Sequence, residues 1–145
     1  MKLLLAVDGF ASSARAVAQV VALAAELRAA PEIHLLHVHP EIPDARVRQH
    51  VPQGDLERYY RDESLPQLAA AEAALKAAGL AFTRHIHVGD AAGIIAKLAA
   101  DQGCARIVMG THGRTGLRHV VMGSVARDVL RLSRVPVTVI RSLVD

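Results

Sequence analysis

Short, continuous apolar runs alternate along this chain with longer stretches in which apolar residues recur every three or four positions. Leu3 to Val7 is apolar throughout, the pattern of a strand covered on both faces. Asp8-Gly9 ends it, and Ser12 or Ser13 can cap a helix carrying Val17, Val20, Val21 and Ala24 on one face. That helix is predicted to run to about Ala30, where Pro31 stops it. Ile33 to Val38 reads as a second strand, ended before Pro40. Residues 40–55, with Pro40, Pro43, Pro52 and Gly54, read as a loop over the sheet's edge. Asp55 to Ala78 is helical in composition, with Gly79 at the position that closes helices. Pro66 interrupts it, so the pattern predicts a break there or a second helix starting near Ser64.

Ala81 to Val88 is a third strand, less uniformly apolar and so nearer an edge. Gly89-Asp90 opens a helix whose buried stripe is Ile94, Ile95, Leu98 and Ala99, before Gly103. A strand over 105–109, a long glycine-punctuated stretch, a helix from Val125 to Leu132 and a last strand from Val135 to Arg141 complete the series. Strands alternating with helices at this spacing predict right-handed βαβ units and an α/β fold with a parallel sheet. Pro136 cannot donate to a ladder, which places the last strand at an edge. Its apolar run, Val137 to Ile140, would invite pairing with another copy.

Composition narrows this without changing it. At 145 residues the chain is expected to be one domain, 1–145, burying about 70% of its unfolded surface. Hydrophobic residues make up 52% of it, with two Phe, two Tyr and no Trp, so the core must be aliphatic. A formal charge of +3 without a basic block or an aromatic stacking set argues against nucleic acid. The single cysteine, Cys104, excludes an internal disulfide framework, fits a reducing compartment, and reads as a small buried apolar residue. Asp8 breaks the first apolar run too early for a signal peptide, and no run approaches the roughly 18 apolar residues of a membrane span. A cytoplasmic protein with no membrane association is the expectation.

The stretch from Met109 to Val125 carries the strongest signal for chemistry. Unstructured connections of this length in compact domains are usually functional or disordered. Its glycines would let main-chain N–H groups crowd a ligand, and the helix start at Ser124 would favour an anion. No Lys follows any of these glycines as a Walker A loop requires, and the Gly-x-Gly-x-x-Gly spacing is missing. The spacing present is Gly110-x2-Gly113-x9-Gly123-Ser124.

That motif resembles the nucleotide-binding signature of the universal stress protein family. The resemblance extends over the chain: the opening Leu4-Leu5-Ala6-Val7-Asp8-Gly9, the Leu35-Leu36-His37-Val38 strand, Gly89-Asp90, the Val108 to Gly116 run, and Val135-Pro136-Val137. It implies an open five-stranded parallel sheet in the order 3-2-1-4-5 with helices on both faces. In that order the carboxyl ends of strands 1 and 4 flank a topological switch point, where open α/β sheets bind ligands. Carried over by position, Asp8 would lie beside adenine and ribose, and the Val38 main chain would meet the adenine edge. Gly110, Gly113 and Gly123 would line the ribose and phosphate path. Ser124 would donate to phosphate oxygens with Val125 N–H beside it. Ala6, Val7, Met109 and His112 complete the expected set, His112 as a loop-shaping or ribose-side residue. Arg114 and Arg118 could screen phosphate charge. The family's frequent Ser after Asp-Gly is Phe10 here, which removes one polar contact.

The function so implied is that of an ATP-binding, stress-responsive regulatory protein. It would carry Mg²⁺ on the phosphates, act as a homodimer through the last strand, and serve a protein partner the sequence does not identify. A slow ATPase or autokinase is the enzymatic alternative, with Thr111, Thr115 and Ser124 as phosphoacceptors, and no general base can be named for it. A dimeric scaffold with incidental nucleotide is the third. Among the eight histidines, His37 and His39 share one face of strand 2, and His85 and His87 one face of strand 3. If the strands are neighbours, four imidazoles could approach one another and suit a transition metal; packing or hydrogen bonding is the commoner role.

Overall fold

A computed structural model describes residues 1–111 and 122–141. The elements in order are β1 (Lys2–Ala6), α1 (Ala11–Glu26), β2 (Glu32–His39), α2 (Ala45–His50), α3 (Gln53–Ala77), β3 (Phe82–Val88), α4 (Ala91–Asp101), β4 (Arg106–Gly110), α5 (Ser124–Leu132) and β5 (Val137–Ile140). The five strands are parallel, in the order β3-β2-β1-β4-β5, with Ala6 beside both Leu36 and Met109 in register. The α/β class, the strand order and the helices on both faces are as expected.

The alternation of side chains along each strand divides the core in two. Leu3, Leu5, Ile33, Leu35 and Val108 face α1 and α3, meeting Val17, Val20, Leu68 and Leu75. Leu4, Leu36, Ile107 and Met109 face α4 and α5, meeting Ile95, Leu98 and Val129. Leu3, Leu4 and Leu5 are fully buried, which is why the first run carries no polar alternation. β3 is largely exposed on one face and β5 half-buried along its length, as edges are. Pro136 lies just before β5 and not within it, its carbonyl accepting from Ile107 N–H at 2.9 Å.

Three local expectations are corrected. Residues 40–55 are not all loop: Asp44 caps α2 by accepting from Arg46 N–H at 2.9 Å, and α3 begins at Gln53. Pro66 does not break α3. Tyr60, Ser64, Leu68, Ala71 and Leu75 bury a continuous helical face, while Pro66 and Asp62, whose carbonyl loses its donor, both lie exposed to water. α1 ends at Glu26 rather than near Ala30, because the chain must turn back to set Glu32 N–H on the Met1 carbonyl at 2.8 Å.

The fold is also pinned outside the core. Glu72 on α3 is 8% exposed and takes a two-pronged bond from Arg84 on β3, at 2.5 and 2.8 Å. That hydrogen-bonded guanidinium holds the Glu72 carboxyl below its ordinary value. Cys104 is buried as expected, and burial pushes its thiol up.

Candidate functional site

At the carboxyl ends of β1, β2 and β4 lies a cavity of about 370 Å³, within the ordinary range for small-molecule sites. Ala6, Val7, Asp8, Val38, Met109, Gly110, Gly123, Ser124 and Val125 all line it. The switch-point topology thus brings together positions scattered from one end of the chain to the other. His112, Gly113 and Arg114 fall outside the described residues, as does Arg118.

The Asp8 end is built by one turn of chain. Ser13 does not cap α1: the N-cap position is Phe10, with no side-chain bond, and both Ser12 and Ser13 are buried inside the first turn. Ser13 Oγ instead donates to Asp8 Oδ1 at 2.6 Å and accepts from Asp8 N–H at 3.0 Å. Phe10 N–H adds a second donor to Oδ1 at 2.9 Å. These bonds hold the carboxylate in place through Oδ1. Phe10, which stands where the resemblance implies Ser, contributes its main-chain N–H to this turn. Gly9 sits at φ +83°, a conformation an L side chain resists, with Gln67 packed over it.

Val38 offers a main-chain edge, for a reason visible in the ladder. Val7 N–H bonds Leu36 C=O at 2.9 Å, so Leu36 points its main chain toward β1. Gly89 N–H bonds His39 C=O at 3.0 Å, so His39 points toward β3. Alternation therefore turns the N–H and C=O of Val38 to the β1 side, beyond the point where β1 has ended. The Val7 carbonyl, which a longer β1 would present to Val38, is bonded by His37 Nδ1 at 2.9 Å. Since a carbonyl only accepts, Nδ1 carries the proton. His37 is 6% exposed and lines the cavity.

At the opposite wall α5 begins. Its N-cap is Gly123, with no side-chain cap and no acidic residue in the first turn, and Ser124 and Val125 follow it along the cavity. The helix start thus presents unpaired N–H groups and the positive end of its dipole. The ends of the glycine stretch are held together: Gly123 N–H donates to Thr111 C=O at 2.6 Å, and Thr111 N–H to Ile140 C=O at 2.9 Å. Gly110 has a use the sequence reading missed. A Cβ there would stand 2.7 Å from the Ser12 carbonyl carbon, so its hydrogen is what lets α1 seat against the end of β4.

Ser13, His37, Gln67 and Asp90 line the cavity without having been expected there. Ser13 was legible as a cap residue, but its turn back to Asp8 was not. His37 was assigned to a strand face without a partner, because its bond to Val7 depends on where β1 stops.

The four-imidazole arrangement is not formed. The β2–β3 register sets His37 beside Ile86 and Val38 beside His87, which puts His37 and His39 on the opposite sheet face from His85 and His87. Instead His34 Nδ1 meets His85 Nε2 at 2.8 Å, with Glu32 Oε1 3.1 Å from His34 Nε2. Among the described residues no group of three His, Cys, Asp or Glu side chains is placed to hold a metal ion. Nor is any described helix long and apolar enough to cross a membrane.

Comparison with known proteins agrees with this architecture. The model of the Universal stress protein family matches residues 1–141. Universal stress protein YxiE of Bacillus subtilis is 31% identical over 147 residues, covering 97% of this chain and 98% of that protein. Universal stress protein MJ0577 of Methanocaldococcus jannaschii is 43% identical over 47 residues, a stretch spanning 32% of this chain and 29% of that protein. The solved structure of MJ0577 superposes with a TM-score of 0.86 at 28% identity, covering 99% of this chain and 97% of that one. A family member from Arabidopsis thaliana, solved with AMP bound, shares the fold. Its TM-score is 0.68 at 18% identity, covering 100% of this chain and 94% of that one.

Proposed function

This chain belongs to the universal stress protein family, and on that premise we propose that its cavity holds an adenine nucleotide as a regulatory ligand. One observation carries the reading: a single cavity has the outward-turned main-chain edge of Val38 at one wall and the uncapped start of α5 at another. A main-chain N–H and C=O side by side match the acceptor and donor of adenine's N1 and 6-amino edge. The α5 start suits phosphate, and Asp8 between them suits ribose hydroxyls. Ala6, Val7, Met109 and Gly110 form the floor, and Gly123, Ser124 and Val125 the phosphate wall. His112, Gly113 and Arg114 of the glycine stretch complete the proposed set. The AMP bound to the Arabidopsis relative supports the choice of nucleotide.

ATP with Mg²⁺ is the proposed physiological form, bound more than processed. The glycine stretch lacks the lysine that a phosphate-transfer loop brings to the terminal phosphates. Binding would change the surface shown to a protein partner. A second copy is proposed to pair along β5, whose Val137, Val139 and Ile140 are only half-buried. A cytoplasmic location fits this role.

Thermal unfolding with and without nucleotide tests the reading. Ligand at a hundred times its Kd adds about 2.7 kcal/mol to native stability, or roughly 5–11 °C in Tm. An unchanged Tm at millimolar ATP-Mg, ADP and AMP refutes it. Mass spectrometry of nucleotide released from the purified protein identifies the resident form. Val139→Lys is expected to convert dimer to monomer in sedimentation while AMP binding persists; a wild-type monomer refutes the β5 pairing.

A further inference from the structure

His34, His85 and His87 form a row on the sheet face that α4 crosses, and none of them lines the cavity. The β2–β3 register sets Thr83 beside His34 and His85 beside Leu36, so alternation puts all three imidazoles on that one face. His34 is 4% exposed, His85 half-buried and His87 exposed, so the row runs from the interior to the open edge of the sheet at β3. Ring centroids lie 5.1 Å apart for His34 and His85, and 6.2 Å apart for His85 and His87.

The inner end of the row assigns the protons. A carboxylate only accepts, so Glu32 Oε1 takes its 3.1 Å bond from His34 Nε2–H. A neutral His34 then has Nδ1 bare, and His85 Nε2–H donates to it across 2.8 Å. That leaves Nδ1 as the unprotonated nitrogen of His85, the form in which imidazole binds a metal. The two nitrogens of an imidazole point in nearly opposite directions. His34 stands level with Thr83, two residues before His85, so His85 Nδ1 is turned away from it and toward the His87 end of the strand.

Distances decide which rings can share an ion. Nitrogens bound to one tetrahedral ion at about 2.0–2.1 Å stand about 3.3 Å from each other. His34 and His85 are closer than that at 2.8 Å, so they are hydrogen-bonded partners and not joint ligands. The same bond length puts an ion about 3.2 Å from each ring centroid, so two imidazoles sharing it have centroids up to about 6.4 Å apart. His85 and His87, at 6.2 Å, fall inside that limit. We propose that His85 Nδ1 and His87 form a two-imidazole site for a first-row divalent cation of the Zn²⁺ class, with His34 and Glu32 as the hydrogen-bonded pair that fixes His85 from behind. Imidazole suits such cations, and a ligand ring that donates its other N–H to a fixed acceptor is both oriented and made more basic. Among the described residues no third His, Cys, Asp or Glu side chain is placed with the two, so water completes the shell.

Calorimetric titration of the full chain with Zn²⁺ tests the site. Wild type is expected to show a saturable phase of one ion per chain, which His85→Ala and His87→Ala each weaken at least tenfold. His87 is exposed, so its variant is expected to unfold as wild type does without metal, which separates a lost ligand from a lost fold. His34→Leu removes the acceptor behind His85 and is expected to weaken Zn²⁺ about 10–100-fold. His34→Gln, whose amide can accept from His85 and donate to Glu32, is expected to recover part of that loss. Imidazole nitrogen NMR of the metal-free protein is expected to find His34 and His85 both protonated at Nε2. A wild type with no saturable zinc phase, or an alanine variant that binds Zn²⁺ as wild type does, overturns the site. Unchanged affinity in His34→Leu, or His85 protonated at Nδ1, overturns the role given to His34 and Glu32.

Discussion

Gly110→Ala probes the joint between fold and site. The added methyl would lie 2.6 Å from Ser12 Cβ and 2.7 Å from the Ser12 carbonyl carbon, where carbon atoms rest at about 3.5–4 Å. Neither atom is the loose end of a flexible chain; both belong to the first turn of α1. That turn must retreat by about 1 Å. Overpacking of this kind costs about 1–3 kcal/mol, which for a chain of this size lowers Tm by roughly 3–10 °C. Ser13 is the next residue and holds Asp8, so the displacement also moves the carboxylate, and AMP affinity is expected to fall about tenfold or more. Thermal and urea unfolding measure the first effect and calorimetry the second. Gly54→Ala is the control: nothing lies within 4 Å of its built Cβ and it sits in the first turn of α3, so it is expected to stabilise by about 0.4–1 kcal/mol. Gly110→Ala protein that unfolds within 1 °C of wild type would refute the claim that this hydrogen seats α1 on β4.

The remaining predictions concern polar contacts. Ser13→Ala removes both bonds to Asp8 and is expected to cost about 1–3 kcal/mol in urea unfolding and to weaken AMP; Ser13→Thr, which keeps the hydroxyl, should recover affinity, and an Ala variant that binds AMP as wild type does would refute the orienting role. Arg84→Met leaves the Glu72 carboxylate buried without its partner; the expected loss is about 1–3 kcal/mol at pH 7, below that of a fully buried pair because Arg84 is partly exposed, and a loss under 0.5 kcal/mol refutes it. Stability is also expected to fall in two pH windows. Burial, with His34 and His87 beside it, lowers the folded-state value of His85, so the unfolded chain takes that proton first. Its contribution is full above about pH 6.5 and declines below it. Glu72, lowered by Arg84, contributes above its ordinary 4.5 and is lost as pH falls through its folded value. Urea midpoints from pH 8 to 3 should show both declines, and His85→Gln should remove only the upper one; an unchanged profile in that variant refutes the assignment.

Much of the molecule was legible in residue order because short-range physics decides it. A run such as Leu3 to Val7 has no polar alternation only when both faces are covered, and β1 is buried on both. Gly79 and Pro136 mark ends for conformational reasons that act within a few residues. Asp8, Gly110 and Gly123 were recognisable through their ordered resemblance to a family, and all three line the cavity. The misreadings arose where a local rule met a tertiary one. Pro66 breaks helices in isolation, but here the buried face of α3 outweighs one lost bond on the wet side. Ser13 prefers to cap a helix, but Asp8 offers two bonds at close range.

What the sequence by itself determined, then, is the alternation of five strands with the longer helices and the residues of the glycine stretch, since periodicity, turn chemistry and spacing are properties of neighbours along the chain. Only the tertiary structure decided which of those residues meet. The parallel register put the histidine pairs on opposite sheet faces, and the early end of β1 turned His37 onto Val7 and Val38 toward the cavity. It also showed that Gly110 is small for the sake of Ser12 and that Asp90 stands beside the end of β2. Contacts of this kind depend on where strands stop and which helices cross them. Those positions are set by burial of the two core layers taken together, which no single stretch of the chain contains.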